Sequence, residues 1–256
     1  MSSKKKNQLT TSSEWAKHLR KIGKRFFWKG ERLAEKGMIK KEKDIISEGF
    51  VKTEVDEKIK SIAKKLRVLK NADKDFAIFG AAHHQYESGI TISQSELIDF
   101  EKAHNIILPY DFRTFVLAFG HGGCGPFYGL LSLQKGVLEL PQNTQQSAIN
   151  KLSAPFRFDT LWNVENIEGD SDFQQDEYDD VKWCDGMLRI CHEGCGYFIN
   201  LVVTGEQRGN LWLDGRVSEA GIFPIDYYGT GKPVKFLDWY LVWLDASIKK
   251  LQEKLP

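Results

Sequence analysis

Between residues 91 and 255 the spacing of apolar residues changes twice, and that change limits the chain to few architectures. In TISQSELIDFEKAHN and IILPYDFRTFVLAFGHGGCG the apolar residues recur near the helical period of 3.6. GMLRICHEG, GYFINLVVTG and RGNLWLDG are instead short β-rich runs separated by glycine-containing turns, as in an antiparallel meander with one buried face. VKFLDWYLVWLDASIKKLQEKL returns to helical spacing, with one stripe from Phe236 through Trp239, Tyr240, Trp243, Leu244, Ser247 and Ile248 to Leu251. A helix stripe and a sheet face must each be covered. The order helix, helix, strands, helix therefore predicts an α+β domain, an antiparallel-rich sheet with helices packed against it.

Local signals fix the ends of these elements. Ser93 followed by Glu96 is a capping box, and Asn105 breaks that helix. Pro109 suits a first turn because its missing N–H would be unpaired there. Phe112, Phe115, Val116 and Phe119 follow at i, i+3, i+4 and i+7, and Gly120, Gly122 and Gly123 end the run. FYGLLSL then reads as strand-like. AGIFPIDY suits a sheet edge, where Pro224 is tolerated. Residues 136–185 carry no clear period, and WNVENIEGDSDFQQDEYDD reads as a long acidic surface loop.

The formal net charge of +1 conceals an uneven distribution. Residues 1–70 hold 21 Lys and Arg against 9 Asp and Glu, whereas residues 155–185 hold ten acids against two bases. The basic half shows two helical patterns. SSEWAKHLRKIGKRFFWKGERLAEKG places Trp15, Leu19, Ile22 and Phe26 on one stripe with Ser13 as a cap; VDEKIKSIAKKLRVLK places Ile59, Ile62, Ala63 and Leu66 on another. Residues 71–90 read as a linker or short strand. The sequence thus divides into a basic helical extension with linker, 1–89, and a domain, 90–256. Lysines 17, 21, 24 and 29 and arginines 20, 25 and 32 suit nucleic acid or an anionic membrane; docking on the chain's own acidic half is an equal alternative.

Other features narrow the chemistry. The first residues are charged without a following apolar stretch, unlike a secretory signal, and no run reaches the ~20 apolar residues of a transmembrane helix; a cytoplasmic protein is expected. Of Cys184, Cys191, His192 and Cys195, only Cys191 and Cys195 have zinc-like spacing. Buried free thiols are the preferred reading, and metal binding by the four is left open. His121 beside Cys124 lacks a third group to orient a base, and adjacent His83 and His84 would diverge on a strand. The glycines from 120 to 125 match no phosphate-loop fingerprint, and the aspartates between 170 and 180 lack calcium-loop alternation. No cofactor and no catalytic activity is expected.

Taken in order, four segments resemble the SUKH superfamily, which includes bacterial toxin-immunity proteins and fungal cell-wall regulators of the Smi/Knr type. They are ISQSELIDFEKAHNIILP with Phe100-Glu101; LPYDFRTFVLAFGHGG with Leu108, Pro109, Asp111, Phe112, Phe115 and the Gly122-Gly123 turn; GYFINLVVTGEQRGNLWLDGR with Gly205, Gly209 and Trp212; and GIFPIDYY followed by FLDWYLVWLD with Trp239. The resemblance spans roughly residues 90–245. His121 stands where the family commonly has Asn, and residues 1–89 lie outside it. The resemblance implies a non-enzymatic immunity protein that neutralises a cognate polymorphic toxin, many such toxins being nucleases; a regulatory or scaffold protein is the alternative. An acidic surface would compete for a nuclease's basic face and speed encounter. The candidate contacts are Asp170, Asp172, Phe173, Asp176, Glu177, Tyr178, Asp179, Asp180, Tyr227 and Tyr228, with core packing as the alternative role of the aromatics.

Overall fold

The structure, a computed structural model, describes residues 51–138, 150–166, 177–226 and 231–253. The chain divides into two compact units, Met1–Glu54 and Val55–Pro256. Of the first, only residues 51–54 are described, and they are helical. The stripe from Trp15 to Phe26 and the basic residues from 17 to 32 lie outside the described residues.

Helix α1 (residues 51–72) follows from its apolar spacing. Val55, Ile62 and Leu69 are buried, with Ile59 and Leu66 partly buried between them, so steps of four and three trace one stripe. Ala63, expected on that stripe, is exposed. Lys58 pairs with Asp238 at 2.7 Å, and Lys65 donates to Asp245 at 2.7 Å. These half-exposed pairs orient the helix more than they stabilise it.

Residues 71–90 are neither linker nor strand. The buried Asp73 carboxylate accepts from the N–H groups of Ala77 and Ile78 and from the Tyr86 hydroxyl, which curls the backbone around one charge. Short helix α2 (Ala81–His84) follows, and Ile90 makes a single antiparallel bridge to His121. Ile78, Ala81 and Tyr86 share a core with Phe115 and Tyr240. The compact unit holding the sheet thus begins well before residue 90.

Helix α3 (Gln94–Ala103) opens on the expected capping box, with both the Ser93 and the Glu96 halves present. Helix α4 (Tyr110–Phe119) has Pro109 at its N-cap and buries Phe112, Phe115 and Val116. FYGLLSL is not a strand; Leu130 makes isolated bridges to Gly123 and Cys191, and α5 (Leu133–Gly136) follows.

The sheet is the predicted meander, β1 (Met187–Gly194), β2 (Tyr197–Val202), β3 (Leu211–Asp214) and β4 (Ile222–Pro224), antiparallel and in chain order. Helix α6 (Phe236–Gln252) closes the unit. Strand alternation sends Leu188, Ile190, Ile199, Leu201 and Leu211 to the helices. A register shift between Arg189 and Cys191 lets Ile190 and Cys191, adjacent in sequence, both join that side. Phe236 of α6 meets Phe112 and Phe115 edge-on at 4.8 and 4.9 Å, locking α4 to α6.

The sheet has two buried faces rather than the one expected. Met187, Val202, Trp212 and Ile222 point away from the helices into a second core completed by Phe156, Phe158, Trp162, Tyr178 and Cys184. These residues arrive on irregular segments, which is why no period announced them. Trp162 stacks on Phe158 and Tyr178 at 5.2 and 5.5 Å, and Phe156 meets Trp212 edge-on at 4.8 Å. Fully burying each such ring contributes roughly 1.5–3 kcal/mol.

Candidate partner-binding surface

The acidic stretch is attached to the sheet through one arginine. Asp214 ends β3 pointing into the aromatic layer, and Arg216 follows in the next turn. Arg216 Nε and Nη2 donate to the two Asp214 oxygens at 2.9 and 3.0 Å. Its Nη1 donates to the carbonyls of Tyr178 and Asp180 at 2.8 and 3.0 Å, and Nη2 also reaches the Cys184 thiol at 3.1 Å. Arg189 donates to the same carboxylate at 3.3 Å, and its guanidinium lies 3.5 Å above the Phe198 ring. Burial opposes the charged form of Asp214. The hydrogen bond from Arg216 and the two arginine charges outweigh it and hold the carboxyl below its usual range. Burial pushes the Cys184 thiol up to about 12. Residues 178–184 are thereby fastened to the sheet by a desolvated charge cluster.

The candidate contacts separate on this frame. Tyr178 is completely buried, stacked on Trp162, and its hydroxyl donates to Asn163 at 2.7 Å; it fills the core and presents no ring to a partner. Glu177 pairs with Lys182, and its carbonyl accepts from Trp183 Nε1. Asp180 caps the short 3-10 turn Val181–Cys184 by accepting from the Lys182 N–H at 2.8 Å. Asp185 accepts from Lys151 N–H and faces Arg157 at 3.5 Å. Asp179 is exposed. Asp170, Asp172, Phe173, Asp176, Tyr227 and Tyr228 lie outside the described residues.

The residues that carry the resemblance take framework positions. Phe100 is partly buried, its ring 4.5 Å from His104. The buried Glu101 accepts from Leu108 N–H at 3.0 Å and from Arg113 Nε at 3.2 Å, fixing the α3–α4 turn. Asp111 is half-buried in the first turn of α4, near the Phe112 and Leu237 N–H groups; desolvation pushes its carboxyl up. Trp212 and Trp239 are buried on opposite sides of the sheet. His121 accepts the Leu133 N–H on Nδ1 at 3.2 Å, which leaves its proton on Nε2.

Other sequence candidates are dispersed. Cys184 is buried in the aromatic layer, Cys191 on the helix side, and Cys195 is exposed in the β1–β2 turn. Among the described residues no three His, Cys, Asp or Glu side chains converge to hold a metal ion. Burial pushes the Cys124 thiol up to about 12, the reverse of nucleophile activation. His83 is exposed beside Tyr128, whereas His84 is buried and accepts from Tyr86 N–H. Burial, with His83 nearby, lowers the His84 pKa to about 4. No described helix is long and apolar enough to cross a membrane.

Sequence reasoning missed Arg189, Asp214 and Arg216. For Arg189 and Asp214 the signal was charge at inward-facing strand positions within apolar runs, which costs several kcal/mol unless paired; Arg216, in the turn after β3, carried no such signal. The described unit is an α+β domain with a four-stranded antiparallel sheet and helices packed against it. The chain matches no protein-family model, no curated protein sequence and no solved structure.

Proposed function

We propose that this chain is a non-catalytic protein-binding module of the SUKH type that neutralises a cognate toxin domain, a basic nuclease being the class its charge fits. The observation that carries this reading is the acidic stretch 155–185, ten acids against two bases, whose far end Arg216 and the aromatic layer hold on the sheet. A segment fastened in this way loses less conformational entropy on binding than a free loop. Several described acids are already paired within the chain, so their contribution to a basic partner is a long-range field that raises the association rate more than the affinity. The order of the four sequence segments supports the family reading, and their framework roles suit a scaffold that presents a surface. The test is capture of the partner on the tagged full chain from its native cells. Recovery of a toxin domain at near-equal amount supports the proposal. A housekeeping complex in its place favours the regulatory or scaffold reading.

A further inference from the structure

A cleft of about 340 Å³ opens beside β1, on ground used by none of the residues assigned above to partner binding. Four separate stretches build it: His83 and Ser88 before α3, the glycine turn after α4, the segment from Tyr128 to Lys135, and His192 on β1. Its floor is bare backbone because glycines keep it so. A Cβ on Gly123 would lie 2.5 Å from the Gly89 nitrogen, and one on Gly129 would lie 2.5 Å from the Gly123 oxygen. These backbone stretches therefore meet without side chains between them.

Ile90, Leu130 and Leu131 supply apolar wall around that floor, and the polar side chains among them can all donate hydrogen bonds. Lys135, three imidazoles (His83, His121 and His192) and the hydroxyls of Ser88 and Ser132 line it, and no carboxylate does. Glu96 is the acid whose charge reaches His121. Leu133 N–H occupies His121 Nδ1, so the Nε2 proton is a donor. The half-exposed Tyr128 ring spans the cleft wall, 6.0 Å from His83 and 5.9 Å from His192, and His192 is itself stacked on Phe198 at 4.7 Å. Lys135 and His83 are exposed and have no structural duty comparable to that of Glu101 or Arg216.

We propose that this cleft binds the phosphoryl group of a small molecule. A cation on a flexible stem, hydroxyl donors and imidazole N–H groups around an open floor suit a tetrahedral oxyanion, and a pocket of this size admits a small ligand rather than a polymer. The donors are side chains, distinct from the backbone cradle of a phosphate loop, which the glycine spacing does not form. Two sources of this chemistry are inorganic phosphate and a mononucleotide, whose base would lie against Tyr128.

The test uses the ¹⁵N-labelled full chain, followed by amide correlation spectra during separate titrations with inorganic phosphate, adenosine 5′-monophosphate and, at matched ionic strength, sodium chloride. The expected result is saturable shifts at Gly122, Gly123, Leu131 and Lys135 with phosphate or the nucleotide and none with chloride. Tighter binding of the nucleotide assigns the ring to the site; equal affinity assigns the phosphoryl group alone. Lys135→Gln and His83→Gln, both at exposed positions, each weaken binding at least tenfold while leaving other amide positions unchanged. Absence of saturable shifts with both phosphorylated probes, identical shifts with chloride, or unaltered affinity in both variants overturns the proposal.

Discussion

Replacing Arg216 with alanine strands the Asp214 carboxylate in the aromatic layer. The two side chains are 10% and 6% exposed, so water repairs little of the loss. Removing one partner of a buried pair costs about 3–5 kcal/mol, because the remaining charge stays desolvated. Arg189 remains 3.3 Å from Asp214 Oδ2, which places the cost near the lower limit, about 3 kcal/mol. A typical domain has only about 5–15 kcal/mol of stability in total, so a loss of that size is easily resolved. Urea unfolding followed by tryptophan fluorescence reports it directly, since Trp162, Trp183 and Trp212 surround the cluster. The slope should stay constant while the midpoint falls. Arg216→Ala with Asp214→Ala removes the stranded charge as well, and should cost at least about 1 kcal/mol less than the sum of the two single losses. Because the folded Asp214 pKa is depressed, its contribution is present above the unfolded value of about 3.9 and disappears as pH falls through the folded value. The Arg216→Ala deficit should therefore shrink below about pH 4. A single-variant loss under about 1 kcal/mol, or strict additivity in the double variant, would refute the argument that this cluster fastens the segment.

Other outcomes follow from the same geometry. His84, held neutral by burial with a pKa lowered to about 4, weakens the fold as pH drops from its unfolded value near 6.5; His84→Gln should flatten the decline in melting temperature over that interval. Glu101→Gln keeps an acceptor for Leu108 N–H but loses the Arg113 ion pair, and should cost about 1.5–3 kcal/mol in urea unfolding. Leu201→Ala, beneath the helices, should cost about 2–5 kcal/mol, whereas Ala63→Ser on the exposed side of α1 should change stability by less than about 0.5 kcal/mol. Joint reversal of Glu177 and Asp179 to lysine should slow association with a basic partner at least tenfold at low salt and alter dissociation little, measured by surface binding kinetics.

Much of the frame was legible because it depends on local periodicity. The capping box at Ser93, the three glycine-bounded strands and the closing helix stand where their residue patterns place them. What escaped depends on partners distant in sequence. Phe156, Phe158 and Trp162 look like scattered loop aromatics until Trp212 and Met187 meet them from the sheet. Asp73 reads as a linker residue until Tyr86 closes on it. Tyr178 sits in an acidic, surface-like stretch, yet Arg216 takes its carbonyl and Trp162 its ring. FYGLLSL has strand composition, but its bonds to Gly123 and Ile190 fall at single residues and never extend into a ladder. The phosphoryl cleft was invisible for the same reason: His83, His121, Lys135 and His192 share no motif and meet only through the glycine floor.

The neutralisation proposal is tested most directly by titrating the activity of the captured partner domain with the purified full chain. Neutralisation should give a linear loss of activity that ends near one equivalent, with the Glu177 and Asp179 reversal variant reaching the same end point more slowly. Full partner activity in the presence of a tenfold excess of the chain would contradict it.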